Sequence, residues 1–405
     1  MPPPFTNLPD DVLFHILSRA SSGPADFARC AATCRRWARV VAAHAAAISR
    51  ALPPPGRFLP PLALGFFHQE NDDAGAGRRA RGRRASVPLR FVPAASASRL
   101  LGPFAGGAHL PADADGARPV ASRNGCVVLE LRREARGDWL ALCVWNPMTG
   151  DVAVLPPLSG QDNPGYYACA ILTGNDLDDV LSPPTPRRSP DFFRLLLVYN
   201  RRGYTALRSF SSDAGGWGPE GRKPGAKIAG HMLRQLGPAV VLRGVAYWPM
   251  FSEAFGVRVP DAADHRVLGV SSDGASLRYV DVGFVARTLL CFTSSDSQLR
   301  GADYKSPTGG FWDDVLDQHI RVPQIEVSKT TTVKLRWFGE RSGTLIFTVG
   351  DEEAAGGAGA GAVFALNWAT RSLEKLADGV GYHACRNLCG FEMDRAGLIA
   401  STLAL

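Results

Sequence analysis

Groups capable of covalent chemistry are scattered along this 405-residue sequence without the spacing such chemistry needs. A nucleophile elbow would read Gly-x-Ser-x-Gly, and none is present; the nearest serine run, Val270-Ser271-Ser272-Asp273-Gly274, reads as a turn before a strand. The glycine-rich run at 356–361 lacks the Gly-Lys-Ser/Thr ending of a phosphate loop. Asp178-Asp179 and Asp313-Asp314 are adjacent pairs, which point to opposite faces of a strand and so form no acid/base dyad. His231, His265, His319 and His383 stand alone. Of the eight cysteines, Cys30 and Cys34 lie at helical spacing on an apolar stripe, and the His383, Cys385, Cys389 cluster lacks a fourth ligand of suitable spacing. The expectation is a chain that is not an enzyme and that holds no metal and no cofactor.

Composition narrows the class. The chain is 45% hydrophobic and 20% charged, which suits a globular core. No apolar run reaches the roughly 18 to 20 residues that cross a membrane, and the N-terminus has neither a basic nor an apolar signal region. An intracellular protein, in cytoplasm or nucleus, with reduced thiols is expected. The net charge of +7 is local, because Arg78, Arg79, Arg81, Arg83 and Arg84 supply five cations within a Gly/Ala-rich segment. Residues 70–87 therefore read as a disordered, solvated loop, with a nuclear-import patch or a nucleic-acid contact as alternatives. Nucleic acid is not the expected partner.

The ordered signal sits in the first fifty residues. Pro9 has its φ fixed near the helical value, and Asp10 and Asp11 place negative charge where unpaired N–H groups and the helix dipole favour it. Val12, Leu13, Ile16 and Leu17, with Ala20 one turn on, then fall on one face. After Ser21-Ser22-Gly23, Pro24 opens a second helix carrying Phe27, Cys30, Ala31 and Cys34. A third runs from Thr33 through Cys34-Arg35-Arg36-Trp37 to Arg50, with Trp37, Val41, His44 and Ile48 on one stripe. Three short helices cannot bury these faces against one another and need a further surface.

The run L-P-D-D-V-L-x-x-I-L at Leu8 to Leu17, followed by C-R-R-W at Cys34 to Trp37, resembles an F-box, the adaptor-binding motif of Skp–cullin–F-box ubiquitin ligases. The resemblance covers residues 7–50. It implies contact with a Skp-family adaptor through Leu8, Pro9, Val12, Leu13, Ile16, Leu17, Cys34 and Trp37, and through that adaptor with a cullin. Periodicity by itself also allows a helical cap packed on the chain's own C-terminal part.

Beyond Pro53-Pro54-Pro55-Gly56, a stiff spacer at residues 51–56, helical periodicity gives way to short β-type runs divided by Gly, Pro, Asn and Asp. They lie at 62–68, 89–92, 126–131, 139–145, 151–155, 192–199, 240–248, 267–270, 277–282, 289–292, 331–337, 344–349 and 363–368. A weak repeat links them. Trp145-Asn146-Pro147-Met148-Thr149-Gly150, then Leu155, aligns with Leu366-Asn367-Trp368-Ala369-Thr370-Arg371, then Leu376, with Asn, Thr and Leu at one constant offset. Each copy reads as a strand, an Asn-initiated turn and a return strand. A second element, Gly before an apolar strand, recurs at Gly125, Gly244 and Gly343, about two propeller repeats apart. The runs at 390–394 and 398–402 are expected to supply the strands that close the ring. Loops at 182–190 and 352–361 have too little apolar content to order themselves.

The WNPMTG turn and LPPL exit are similar to the F-box-associated, kelch-related propeller domains that follow F-boxes in large plant families. The expected fold is thus an α+β multidomain chain: a three-helix F-box at 1–50, a linker at 51–56, and an all-β propeller of about six to seven blades at 57–405. The expected function is that of a substrate-recognition adaptor, the propeller binding an unknown target protein. Trp217, Arg222, Tyr304, Phe311 and Trp312 are the candidate target contacts, being aromatic or cationic, with Lys223 and Lys305 beside them; the alternative is that Trp217 and Trp312 belong to blade cores. A small-molecule or glycan-binding propeller under a purely structural cap is the rival function.

Overall fold

The computed structural model describes residues 8–20, 24–51, 59–69, 88–95, 97, 116–131, 139–174, 192–223, 226–236, 238–242, 245–249, 253–258, 265–269, 276–282, 287–293, 298–303, 318–321, 331–351, 360–367, 370, 372–380, 382 and 387–403. The Pro-rich spacer beyond residue 51, the arginine run, the 182–190 loop, and Tyr304, Lys305, Phe311 and Trp312 lie outside these residues.

Four helices come first: α1 (Asp10–Ala20), α2 (Pro24–Thr33), α3 (Arg35–Ala43) and α4 (Ala45–Ala51). The sequence predicts one helix where α3 and α4 now stand. His44 leaves helical geometry (φ −105°, ψ 15°) and ends α3 there. Its ring is engaged elsewhere, stacked on Phe14 with centroids 4.1 Å apart.

The rest is antiparallel sheet, in chain order. The first sheet holds β1 (Ala63–Gln69) and β2 (Leu89–Pro93). The second holds β3 (Arg118–Arg123), β4 (Cys126–Leu131), β5 (Trp139–Trp145), β6 (Val152–Val154) and β7 (Leu158–Ser159). The third holds β8 (Tyr167–Thr173), β9 (Phe193–Asn200), β10 (Thr205–Ser211), β11 (Gly216–Trp217) and β12 (Gly221–Arg222). A short helix, α5 (Gly230–Gln235), leads to the fourth sheet: β13 (Val240–Leu242), β14 (Val245–Pro249), β15 (Glu253–Arg258) and β16 (His265–Gly269). The fifth is β17 (Ser276–Val282), β18 (Arg287–Thr293), β19 (Gln298–Asp303) and β20 (Gln318–Arg321), and the sixth β21 (Thr331–Gly339), β22 (Thr344–Asp351), β23 (Ala360–Asn367) and β24 (Leu373–Val380). The last strand, β25 (Leu388–Glu392), returns to the first sheet and pairs with β1, Phe66 opposite Gly390.

Successive sheets are neighbours. β3 lies beside β8, β8 beside β13, β13 beside β17, β18 beside β21, β21 beside β25, and β25 beside β3. Apolar layers fill the spaces between their faces. Phe67, Trp145, Phe391 and Met393 pack between the first and second sheets; Val128, Leu142, Leu195 and Phe210 between the second and third; Leu196, Val198 and Trp248 between the third and fourth. Phe66, Trp337, Ile346 and Leu388 join the sixth sheet to the first.

The two repeat signals coincide with equivalent places in the sheets. Asn146 connects β5 to β6 and Asn367 connects β23 to β24, each third strand to fourth. Asn146 Oδ1 accepts from the Met148 N–H at 2.9 Å, and Asn367 Oδ1 from the Thr370 N–H at 2.9 Å. Gly125 (φ +81°) and Gly343 (φ +67°) each precede a second strand, where the backbone must turn left-handed; Gly244 precedes the second strand of the fourth sheet.

Two sequence expectations are corrected. The run at 240–248 is two paired strands, β13 and β14, with Leu242 opposite Val245. The run at 398–402 is helix: α6 (Arg395–Leu403), whose first turn is capped by Asp394 Oδ1 accepting from the Gly397 N–H at 2.6 Å. An apolar run this short does not by itself choose between strand and helix.

Candidate adaptor-binding face

The start of α1 is held from two directions. The Leu13 N–H donates to the Pro9 carbonyl at 3.0 Å, closing the first turn, with Asp10 and Asp11 in it as the dipole favours. From α3, the Arg36 guanidinium reaches Asp10 Oδ1 through Nε at 3.0 Å and Nη2 at 2.8 Å, and Nη2 also donates to the Leu8 carbonyl. Arg36 was visible in the sequence only as part of C-R-R-W. That it clamps the entry of α1 follows from tertiary geometry.

The apolar stripe of α1 splits in two. Leu13 and Leu17, 3% and 2% exposed, turn inward with Phe27, Ala31, Val40, Val41 and Ile48. Phe14, Cys30, Trp37, Ala38 and Ile399 pack against that cluster. Val12 and Ile16, 38% and 46% exposed, turn outward one helical turn apart, among the few large apolar side chains exposed in the described residues. Of the eight residues carried over by resemblance, Pro9, Val12, Ile16 and Cys34 are exposed, Leu8 and Trp37 are half-buried, and Leu13 and Leu17 serve the chain's own core. Leu13 and Leu17 form the buried row of the stripe and Val12 and Ile16 the outer one: a helix this narrow against a core must bury one row of its apolar stripe.

Cys34 sits between α2 and α3 in extended geometry (φ −163°, ψ 162°), and its carbonyl accepts from the Ala38 N–H at 3.0 Å. It is not on one helical stripe with Cys30. Cys389 is buried beside Phe66 and Trp337, and burial raises its thiol to about 12 against a hydrogen bond with Ser122. His383 and Cys385 lie outside the described residues. Among the described residues there is no cluster of three or more groups able to hold a metal ion.

The far side of the α2–α3–α4 layer is covered by α6, with Ile399 reaching the helical core. Backbone bonds carry the link onward: the Met393 N–H donates to Leu62 O at 2.9 Å and the Gly125 N–H to Glu392 O at 3.0 Å. Polar groups also converge at strand ends. Arg123 pairs with Glu340, Asn124 Nδ2 donates to Thr173 Oγ1 at 2.8 Å, and the Ser342 N–H donates to Glu392 Oε2 at 3.0 Å. Burial raises the Glu392 carboxyl, and Ser342, Arg123 and Arg341 oppose it. These bonds tie together strand ends of the first, second, third and sixth sheets.

Trp217 and Arg222 lie apart from the helices, on the third sheet. Trp217 Nε1 donates to Pro156 O at 2.7 Å and its indole meets Phe210 edge-on at 5.5 Å, so it fits the core-aromatic alternative. Arg222 is exposed, its guanidinium 5.0 Å from the centroid of Tyr204.

The F-box-like family model matches residues 5–45, the segment that forms α1, α2 and α3. No curated protein matches the chain. Among solved structures, the chain is similar to a member of the DUF4221 family from Bacteroides vulgatus, 10% identical with a TM-score of 0.33 over 65% of this chain and 85% of that one. It is also similar to the GH74 enzyme of Niastella koreensis, 13% identical with a TM-score of 0.36 over 64% and 38%, and to the Dos1 propeller, 11% identical with a TM-score of 0.33 over 67% and 62%. The chain thus carries an F-box-like domain at its start, ahead of a long region whose described residues are mostly β-sheet.

Proposed function

We propose that this protein is a non-catalytic substrate-recognition adaptor of a Skp–cullin–F-box ubiquitin ligase, acting inside the cell. Its six sheets are read as blades of a β-propeller of the F-box-associated, kelch-related kind found in plants, closed by the pairing of β1 with β25. The outer face of α1 takes the Skp-family adaptor, which links to a cullin, and the propeller takes the target protein. The mechanism is proximity: a target lysine held near a charged conjugating enzyme reacts at a raised effective concentration.

One observation carries the reading. Leu13 and Leu17 satisfy the chain's own core while Val12 and Ile16 remain in water, as suits a helix that keeps a second apolar row for a partner. The rival, a small-molecule or glycan-binding propeller under a structural cap, is favoured by the packing of α6 on α2, α3 and α4. A cap alone leaves the outer row of α1 without a role. Co-purification with a Skp-family adaptor separates the two: wild type is retained and Val12→Asp/Ile16→Asp is lost if the adaptor reading holds, and a wild type that fails to bind leaves the cap.

A further inference from the structure

The turn joining β9 to β10 is the centre of a cationic surface with an unusual internal order. Glu220 Oε2 accepts from Tyr199 Oη at 2.7 Å and from Arg201 Nε and Nη2 at 2.9 and 2.7 Å, while Oε1 accepts from Tyr204 Oη at 2.6 Å. Burial pushes the Glu220 carboxyl up, but these hydrogen bonds outweigh it and bring it down to about 2. Glu220 is therefore ionised and its lone pairs are occupied from within. Arg201 is likewise committed, its Nη1 donating to Asn163 O at 3.0 Å and its guanidinium lying 4.8 Å from the Tyr199 ring centroid.

Around this locked centre stand cations of a different status. Arg202, Arg222 and Lys227 are exposed. Lys227 is fixed against the turn, Nζ donating to Arg201 O at 2.7 Å and Arg202 O at 3.2 Å. The next residue is anchored too, the Ile228 N–H donating to Thr205 Oγ1 at 2.9 Å and Asn200 Nδ2 to Ile228 O at 2.9 Å. Arg222 is stacked on Tyr204, with its neighbour Lys223 turned to Ala226 O at 2.9 Å. Asp162, the other carboxylate nearby, is taken by Arg208 at 2.8 Å. Among the described residues none of Arg202, Arg222 and Lys227 has a carboxylate partner. Tyr166, 64% exposed, directly precedes Tyr167, which stands opposite Tyr199 in the sheet, and follows the Asn163–Gly165 loop that Arg201 holds.

We infer that this surface is where the sheet domain receives a carboxylate-rich segment of its target protein, with Arg222 and Arg202 as the receiving guanidiniums and Tyr166 as an aromatic contact. The inference rests on the adaptor reading and names the class of target. Guanidinium stacked on a ring is held in one plane, so a carboxylate can meet it in bidentate fashion with less ordering cost. Arginine and tyrosine together are the types that anchor protein interfaces. A nucleic-acid groove would track a phosphate backbone with many cations, whereas here the available cations are few and gathered at one turn.

The test uses the full chain in complex with a Skp-family adaptor and a fluorescein-labelled peptide of alternating glutamate and serine, read by fluorescence polarisation against its lysine–serine counterpart and a single-stranded oligonucleotide of equal charge. The acidic peptide is expected to bind, to weaken with salt, and to lose at least about tenfold in affinity in Arg202→Glu/Arg222→Glu/Lys227→Glu. Arg202→Gln/Arg222→Gln, which leaves the Lys227 bonds intact, should lose part of it. Equal binding of the two peptides, tighter binding of the oligonucleotide, or an unchanged affinity in the reversed variant overturns the inference. Adaptor retention is read in the same samples. Its loss would count against the ubiquitin-ligase reading, independently of the peptide result.

Discussion

Replacing Val12 and Ile16 together by aspartate isolates the outer row of α1. Both side chains are roughly half in water already, 38% and 46% exposed, so covering the remainder contributes about 1 kcal/mol each to a complex. Two carboxylates in the covered contact reverse that gain and add a desolvation cost of several kcal/mol. The sum is about 4 to 6 kcal/mol, or roughly a thousandfold or more in Kd. The fold should hardly respond, since exposed positions away from special features change stability by about 0.5 kcal/mol or less. The measurement is calorimetric titration with a purified Skp-family adaptor, alongside thermal denaturation of each variant. Leu13→Asp is the contrasting control: at 3% exposure it puts a charge into the helical core and should melt the F-box-like helices. The reasoning is refuted if Val12→Asp/Ile16→Asp binds like wild type, or if it loses binding only because its helices have melted.

Four further outcomes follow from the packing. Arg36→Ala removes the clamp on α1; because Asp10 is largely exposed, the loss should be only about 0.5 to 1 kcal/mol, visible as faster hydrogen exchange in the first turn of α1. Gly390→Ala should destabilise the chain by about 1 to 3 kcal/mol, since its added Cβ would collide with the Trp337 indole across the junction of β25 and β21; an unchanged denaturant midpoint would contradict that. Ile399→Ala should lower the melting of the F-box-like helices by about 1 to 3 kcal/mol and leave the sheet domain's near-ultraviolet signal in place. Glu220 has a folded value of about 2, below its ordinary 4.5. Its stabilisation is therefore present above about 4.5 and lost as pH falls towards 2, and Glu220→Gln should flatten that part of the stability–pH profile.

What could be read from the sequence was what local chemistry determines. The start of α1 is set by Pro9, Asp10 and Asp11, the strand at 126–131 by an apolar run broken only by Glu130 and that at 139–145 by an uninterrupted one, and all of these match the structure. The Asn146 and Asn367 turns were legible because an Asx side chain closes the turn it starts. Strands β3 and β10 escaped: Arg-Pro-Val-Ala-Ser-Arg and Thr-Ala-Leu-Arg-Ser-Phe-Ser carry polar residues whose burial or pairing is decided by neighbouring sheets. The signal for α6 was present in Asp394, a good helix cap, but the apolar run behind it was read with the period of a strand. In the site, the types of residue were legible and their direction was not. Which row of α1 faces in depends on where Val40, Val41 and Ile48 stand, and the Glu220 centre depends on strands β9 and β10 meeting β12.

The position of α6 explains how helices this short hold together. Four helices of 7 to 11 residues are marginal by length, and their apolar faces exceed what they bury among themselves. The missing surface comes from the opposite end of the described chain. Pairing of β1 with β25 brings residue 392 back beside residue 63, the bond from Met393 to Leu62 fixes the exit, and Asp394 starts the helix that reaches α2, α3 and α4. Closing the first sheet and completing the helical core are therefore one event in the fold. An isolated segment of α1 to α4 would lack Ile399 and the surface around it, while the outer row of Val12 and Ile16 faces water because the inner row of Leu13 and Leu17 is buried against Phe27, Ala31, Val40, Val41 and Ile48, the core that this borrowed surface completes.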